Sequence, residues 1–177
     1  PQSKQRLRPA LDLLGRVALE SPGLVVDLGC GAGNVTAAIR HRYPVPTRII
    51  GVDSSPEMLA KARAAEPSVE WVEADVATWV PEAPVDCLYS NATLHWLPDH
   101  RSLVTRLMGH LKPGGVLAIQ MPNQTGAPSH RGIAEGVEAL DLDPAAKARL
   151  HAIQVAPLAD AGDYYDWAMA AGAAHID

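Results

Sequence analysis

The run Asp27-Leu28-Gly29-Cys30-Gly31-Ala32-Gly33-Asn34 constrains this chain more than any other stretch. It continues Leu24-Val25-Val26, a short apolar, β-branched segment of the kind that forms a buried parallel strand. Glycine at such a junction lets the backbone turn sharply into a helix and lets a ligand approach the main chain. The residues that follow keep the alternation this start implies. Asn34 to Tyr43 reads as a helix and Arg48 to Asp53 as a second strand. Ser55 to Ala65 reads as a helix with Ser55 as N-cap, Pro56 in the first turn and Glu57 four residues before Lys61. Val69 to Asp75 is a third strand, Val85 to Ser90 a fourth, Arg101 to Leu111 a helix, and Val116 to Met121 a fifth strand after Pro113-Gly114-Gly115. Ahead of the loop, Pro9 to Leu19 has helical spacing, with Pro9 suited to a first turn.

This order predicts an α/β fold: a doubly wound, mostly parallel sheet with helices on both faces. Residues 1–121 are expected to form the cofactor-binding core with its N-terminal helix. Residues 122–177 are expected to form a helical cap of the same single domain, with helices over Ile133–Leu140, Pro144–Ile153 and Tyr164–Ala171. Only His175-Ile176-Asp177 offers the start of a sixth strand.

Composition narrows the partners. At 177 residues, 47% hydrophobic and 20% charged, the chain has the balance of an ordinary single domain and no apolar run long enough to cross a bilayer. A net charge of −5 with scattered cations argues against nucleic acid. Cys30 and Cys87 fall in a tight loop and a buried strand, so they are expected to be reduced, in a cytoplasmic setting. His95 and His100 have the spacing of a metal pair but no further ligands, and no metal is expected. Oligomeric state is left open.

The loop spacing selects the ligand. A dinucleotide fingerprint reads G-x-G-x-x-G, whereas this chain has G-x-G-x-G with Asp27 two residues upstream. Asp27 would repel a pyrophosphate and attract an ammonium, directly or through water. Among adenosine-based ligands, S-adenosylmethionine carries that ammonium and no phosphate. Asp53, ending the second strand, is a candidate for both ribose hydroxyls, although NAD uses the same feature. Met58 is placed to pack on an adenine face, Asp75 to accept from the adenine amino group, and the Val76 amide to meet a ring nitrogen. Ser90-Asn91 ends the fourth strand at the edge where open α/β sheets bind ligands. Taken alone, a strand-end Asp is more often a turn former and Met58 more often core; their joint order carries the reading.

These residues resemble the class I methyltransferase family through VVDLGCGAGNVT (25–36), IIGVDSSPEMLAKAR (49–63), VEWVEADVATW (69–79) and LKPGGVLAIQMP (111–122). Within it, RPALDLL (8–14), SNATLHWLPDH (90–100) and the MPNQ…PSH stretch (121–130) look like trans-aconitate 2-methyltransferases. The resemblance implies that Gly29, Gly31 and Gly33 line the methionine moiety. It assigns Asp53 to the ribose, Asp75 with Val76 to the adenine and Asn91 to the neighbourhood of the sulfonium, and Cys30, Asn34, Ser54 and Met58 are further candidates for cofactor contact. It also implies two further strands beyond the fifth and more chain at both ends, so a trimmed chain is expected.

Methyl transfer from a sulfonium is an in-line displacement governed by alignment. A carboxylate acceptor is already ionised near neutral pH and needs no base, so no catalytic residue is expected. A small carboxylic acid such as trans-aconitate would be held by cations, for which Arg8, His130 and Arg131 are the candidates; Arg8 could instead bind the cofactor carboxylate. His95 and Trp96 are candidates for the pocket wall, with plain packing an even alternative for Trp96. Arg131 reads somewhat more readily as a solvated helix residue than as a substrate contact. The Asn/Asp-Pro-Pro-Tyr/Phe motif of amino-methylating enzymes is replaced by Asn91-Ala92-Thr93-Leu94, and neither cysteine follows a proline as a cytosine C5 nucleophile would. The alternatives are a methyltransferase for a malonyl thioester or a natural-product hydroxyl, with His95 or His130 as base, a nicotinamide-dependent dehydrogenase, and a non-catalytic methyltransferase-like binding module.

Overall fold

The computed structural model describes residues 2–123, 135–136, 139–147 and 157–177, with the side chains of 2–6 left aside. The elements run α1 (Gln2–Arg16), β1 (Leu24–Leu28), α2 (Asn34–Arg42), β2 (Arg48–Asp53), α3 (Pro56–Ala65), β3 (Glu70–Glu73), β4 (Val85–Asn91), a 3-10 turn (Leu94–Trp96), α4 (His100–Met108), β5 (Leu111–Gln120) and α5 (Ala161–Ala170). All pairings are parallel, in the order β3-β2-β1-β4-β5. The chain therefore winds outward from β1 in one direction, then returns to β4 on its other side. The crevice between β1 and β4, at the carboxyl ends of the strands, is the place where such sheets bind ligands.

Both sheet faces are covered because β1, β2 and β4 are apolar on both sides. On one face Val25, Ile49, Cys87 and Tyr89 pack with Leu14 of α1 and Ile39 of α2. On the other, Val26, Ile50, Val52 and Leu88 pack with Leu103 and Leu107 of α4. The Tyr89 hydroxyl, fully buried, donates to the Ala10 carbonyl at 2.6 Å and fastens α1 to the centre of the sheet.

Several boundaries differ from the sequence expectation. Helix α1 starts at Gln2, with Pro9 inside it instead of in its first turn. A proline there removes one backbone donor and crowds the carbonyl one turn back, a cost offset by the fastening of α1 to the sheet at Ala10, and the unbranched residues Gln2, Lys4, Gln5 and Arg6 favour extension in the N-terminal direction. Helix α4 stops at Met108 because Gly109 caps it, so Leu111 belongs to β5. Strand β5 is longer than expected because its pairing jumps from Val85↔Leu111 to Cys87↔Val116, and the Pro113-Gly114-Gly115 turn is absorbed as a bulge. Strand β3 ends at Glu73, leaving Asp75 in the turn beyond it. Helix α5 begins at Ala161, three residues early, where Asp163 accepts from the Asp160 amide at 3.2 Å. Among the described residues no strand follows β5, and His175-Ile176-Asp177 is not one; the His175 ring turns instead to the Asp177 carboxylate at 2.9 Å. Residues 135–136, 139 and 144–147 are helical, while much of the rest of the expected helices over Ile133–Leu140 and Pro144–Ile153 lies outside the described residues.

Candidate functional site

Three strand ends build the site. Gly29 and Cys30 both donate their amides to the Val52 carbonyl, at 2.8 and 3.0 Å, which ties the glycine loop to the end of β2. Gly29, Gly31 and Gly33 all have positive φ, at 74°, 54° and 80°. Their surroundings differ. A Cβ on Gly29 would lie 2.1 Å from the Thr93 side chain, and one on Gly33 would lie 2.7 Å from Trp71, whereas one on Gly31 would meet nothing within 4 Å. Protein therefore demands glycine at 29 and 33, and open space lies at 31.

Asp53 faces that opening. Its Oδ2 accepts the Gly31 amide at 2.8 Å and its Oδ1 accepts the Ser55 amide at 2.9 Å, so the carboxylate is pinned between two loops. Each oxygen keeps a further lone pair for a hydroxyl donor. Ser54 is exposed, Ser55 caps α3 by accepting from the Met58 amide at 3.3 Å, and the Met58 side chain is 39% exposed. Asn34, the first residue of α2, is also exposed.

Asp27 is only 2% exposed and accepts the Thr36 hydroxyl at 2.6 Å. Burial, opposed by that hydrogen bond and reinforced by Asp53, raises its pKa to about 6. Cys30 turns its sulfur inward toward Gly51, and burial with the two aspartates pushes its thiol far above its ordinary pKa. It is a neutral packing group. Cys30 and Cys87 are both free thiols.

Beyond β3, the exposed Asp75 carboxylate accepts the Ala77 amide at 2.8 Å, and the side chain of Val76 packs into the core below α4. Arg106 of α4 holds this turn by donating to the Val76 and Trp79 carbonyls, both at 2.9 Å. At the end of β4, Asn91 Oδ1 is buried and has no hydrogen-bond partner, an acceptor that a bound donor would satisfy. The chain then passes through Ala92 at φ 52° into the 3-10 turn. His95 is buried there at 7% exposure with Nδ1 unpartnered, while its neighbour Trp96 is 62% exposed. Burial, and then His100, hold the His95 imidazole below its ordinary pKa and so neutral.

The structure thus gathers Asp27, Gly31, Asp53 and Asn91 along the edge at the β1/β4 crevice, with Asp75 and Val76 farther out beyond β3 and His95 in the turn after β4, on a cleft shared with Leu97 and Trp167. Arg8 stands apart as an exposed residue of α1 paired with Asp12 at 3.7 Å, and His130 and Arg131 lie outside the described residues. Among the described residues no group of three or more metal-ligating side chains occurs. Thr36, Thr93, Trp71 and Arg106 escape a reading of the sequence because they act across 9 to 64 positions of chain. A signal existed for Trp71. Gly51 sits in mid-strand, where a side chain is missing only if something lies close, and a Cβ there would come within 2.4 Å of the indole.

The comparisons agree with this architecture. Residues 25–115 match the methyltransferase domain family. The chain is 51% identical over 162 residues to the trans-aconitate 2-methyltransferase of Azoarcus sp., covering 92% of this chain and 62% of that protein. It is 47% identical over 178 residues to the protein of the same name from Methylobacterium radiotolerans, covering 98% and 66%. The chain thus spans somewhat under two thirds of the length of these relatives. A solved S-adenosylmethionine-dependent methyltransferase from Mesorhizobium loti superposes with a TM-score of 0.57 at 29% identity, over 66% of this chain and 53% of that one. With a glycine loop at the switch point of a parallel sheet and a family match across more than half its length, the chain belongs to the methyltransferase domain family and has the class I α/β methyltransferase fold.

Proposed function

We propose that this chain binds S-adenosylmethionine along the carboxyl edge of its sheet and methylates a carboxylate of a small organic acid, trans-aconitate foremost, giving a monomethyl ester and S-adenosylhomocysteine. The observation that carries the reading is the Asp53 carboxylate, held between the Gly31 and Ser55 amides beside a glycine whose side-chain position is empty space. Bound there, the cofactor supplies a methyl carbon activated by a sulfonium. Asp53 is suited to its ribose hydroxyls, Asp27 to its ammonium as a nearby buried charge, Asp75, Val76 and Met58 to the adenine, and the unpartnered Asn91 Oδ1 to a polar hydrogen near the reacting end. His95 and Trp96 wall the acceptor side. The chain's part in the chemistry is alignment and charge placement, since an ionised carboxylate needs no proton removed.

The choice of acid follows the names of the two relatives. In this reading the enzyme works in the cytoplasm on a small molecule without nucleic acid or membrane; among the described residues no helix is long and apolar enough to cross a membrane. A hydroxyl acceptor is the second reading, favoured by one observation: His95 is held neutral and has an unpartnered ring nitrogen, the state a general base requires.

Transfer of labelled methyl to a panel of acids and hydroxyl compounds tests both. Labelled ester from trans-aconitate is the expected result; label only in hydroxyl acceptors would replace the first reading with the second. Asp53→Ala is expected to weaken S-adenosylhomocysteine binding by about 1 to 3 kcal/mol, since ribose hydroxyls lose their acceptor, and calorimetry that finds unchanged affinity would remove Asp53 from the site.

A further inference from the structure

The segment from Ala92 to Asp99 joins β4 to α4 and carries His95 and Trp96. It begins and ends on non-glycine residues in the left-handed region, Ala92 at φ 52° and Asp99 at φ 50°. Such residues are retained only where neighbours over-determine the backbone. One end is held by the core: the Ala92 amide donates to the Gln120 carbonyl at 2.9 Å, and the Thr93 hydroxyl donates to the Gly29 carbonyl at 3.2 Å. The far end is held locally, Asp99 accepting the Ser102 amide at 3.3 Å and the Leu103 amide at 3.0 Å, and the 3-10 turn between the ends is held by a residue far away in sequence.

His100 Nε2 lies 3.1 Å from the Leu94 carbonyl, and His100 Nδ1 is hydrogen-bonded to the Tyr164 hydroxyl of α5. A carbonyl can only accept, so Nε2 carries the proton; in the neutral ring Nδ1 is then bare and accepts from Tyr164. The Ala159 amide also favours the Tyr164 oxygen as an acceptor. The chain of bonds therefore has one direction, from Ala159 through Tyr164 and His100 to Leu94. Stacked beside it, the Tyr164 ring meets His100 at 5.7 Å and Trp167 at 5.1 Å, the latter edge to face. A cleft opens next to this bridge, with His95, Leu97 and Pro98 on one side and Pro157, Ala159 and Trp167 on the other.

We propose that Tyr164 and His100 are positioning residues that lock α5 onto the 3-10 turn, so that α5 sets the acceptor-side wall formed by His95 and Trp96. The proposal rests on the reading above that this turn faces the methyl acceptor. Without the tether the segment keeps its anchors at Ala92, Thr93 and Asp99 but loses the one at the Leu94 carbonyl between them, and the wall loosens while the cofactor loop does not.

Two readouts test it. In the ligand-free chain, Tyr164→Phe and His100→Ala are expected to speed hydrogen exchange at the Trp96 and Leu97 amides about tenfold, with exchange in β1 and β2 unchanged. In turnover, the same variants are expected to raise the acceptor KM about tenfold, the worth of one hydrogen bond, with the KM for S-adenosylmethionine and kcat little altered. His100→Gln, which offers both a donor for Leu94 and an acceptor for Tyr164, should restore much of both. Unchanged exchange in the turn would overturn the tether. Faster exchange with an unchanged acceptor KM, or a rise in both KM values together, would overturn the positioning role. A wild-type chain that methylates no acceptor would sink the functional reading and the acceptor half of this proposal, while the exchange result would still decide the tether.

Discussion

Gly29→Ala is expected to destabilise the chain by about 2 to 5 kcal/mol, the sum of about 1 to 2 kcal/mol for a side chain in the left-handed region and about 1 to 3 kcal/mol for overpacking. The clash is specific: the new methyl would fall 2.1 Å from Thr93, whose hydroxyl is bonded to the Gly29 carbonyl. Gly31→Ala carries the backbone strain alone, because nothing lies within 4 Å of its Cβ position. It should therefore unfold about 1 to 2 kcal/mol earlier than wild type yet lose S-adenosylhomocysteine affinity, since its methyl enters the space assigned to the ligand. Denaturant midpoints and calorimetry separate the two. Equal destabilisation of both variants would show that Thr93 yields and that the loop glycines are interchangeable.

The second large effect is expected at Asp27. Its folded pKa, about 6, lies above the ordinary 3.8, so between these values the folded chain holds a proton that the unfolded chain has released. Stability from this group is full below the lower value and lost as pH rises through the higher one. The buried charge thus costs on the order of 2 to 3 kcal/mol at neutral pH, from about 1.4 kcal/mol per unit. Asp27→Asn keeps an acceptor for Thr36 and removes the charge. It should raise neutral-pH stability by up to that amount and lack the decline expected of wild type between about pH 4 and 6. The same variant should bind S-adenosylhomocysteine at least about tenfold more weakly, because the ammonium loses its counter-charge. Identical pH–stability curves for the two chains would refute the burial argument.

Such a trade between stability and binding would mark a residue retained for its charge, and its setting could be read only in part from sequence. Asp27 was legible as an acid before a glycine loop; its immersion beside Thr36 was not, because nothing in a spacing of nine residues says that a helix will turn that hydroxyl back onto the strand. Local rules served where local chemistry decides. Strand β2 has the expected bounds, Ser55 caps α3, and Lys61 reaches Glu57 at 2.7 Å. They failed where tertiary contacts override propensity: Pro9 is carried inside a helix fastened by Tyr89, and a turn sequence is folded into β5 because β4 offers it a partner. The gathering of Asp27, the glycines, Asp53 and Asn91 at one edge follows from alternation alone, since parallel strands joined by helices bring their carboxyl ends to the same side. What shapes that edge from outside the motifs, Arg106 under Val76 and Tyr164 through His100, comes from helices whose packing no spacing encodes.

The most direct test of the central claim is a calorimetric titration of the chain with S-adenosylhomocysteine, repeated with excess NAD. Saturable binding in the micromolar range at one site, unaffected by NAD, is the expected result. A flat titration, or displacement by NAD, would contradict it.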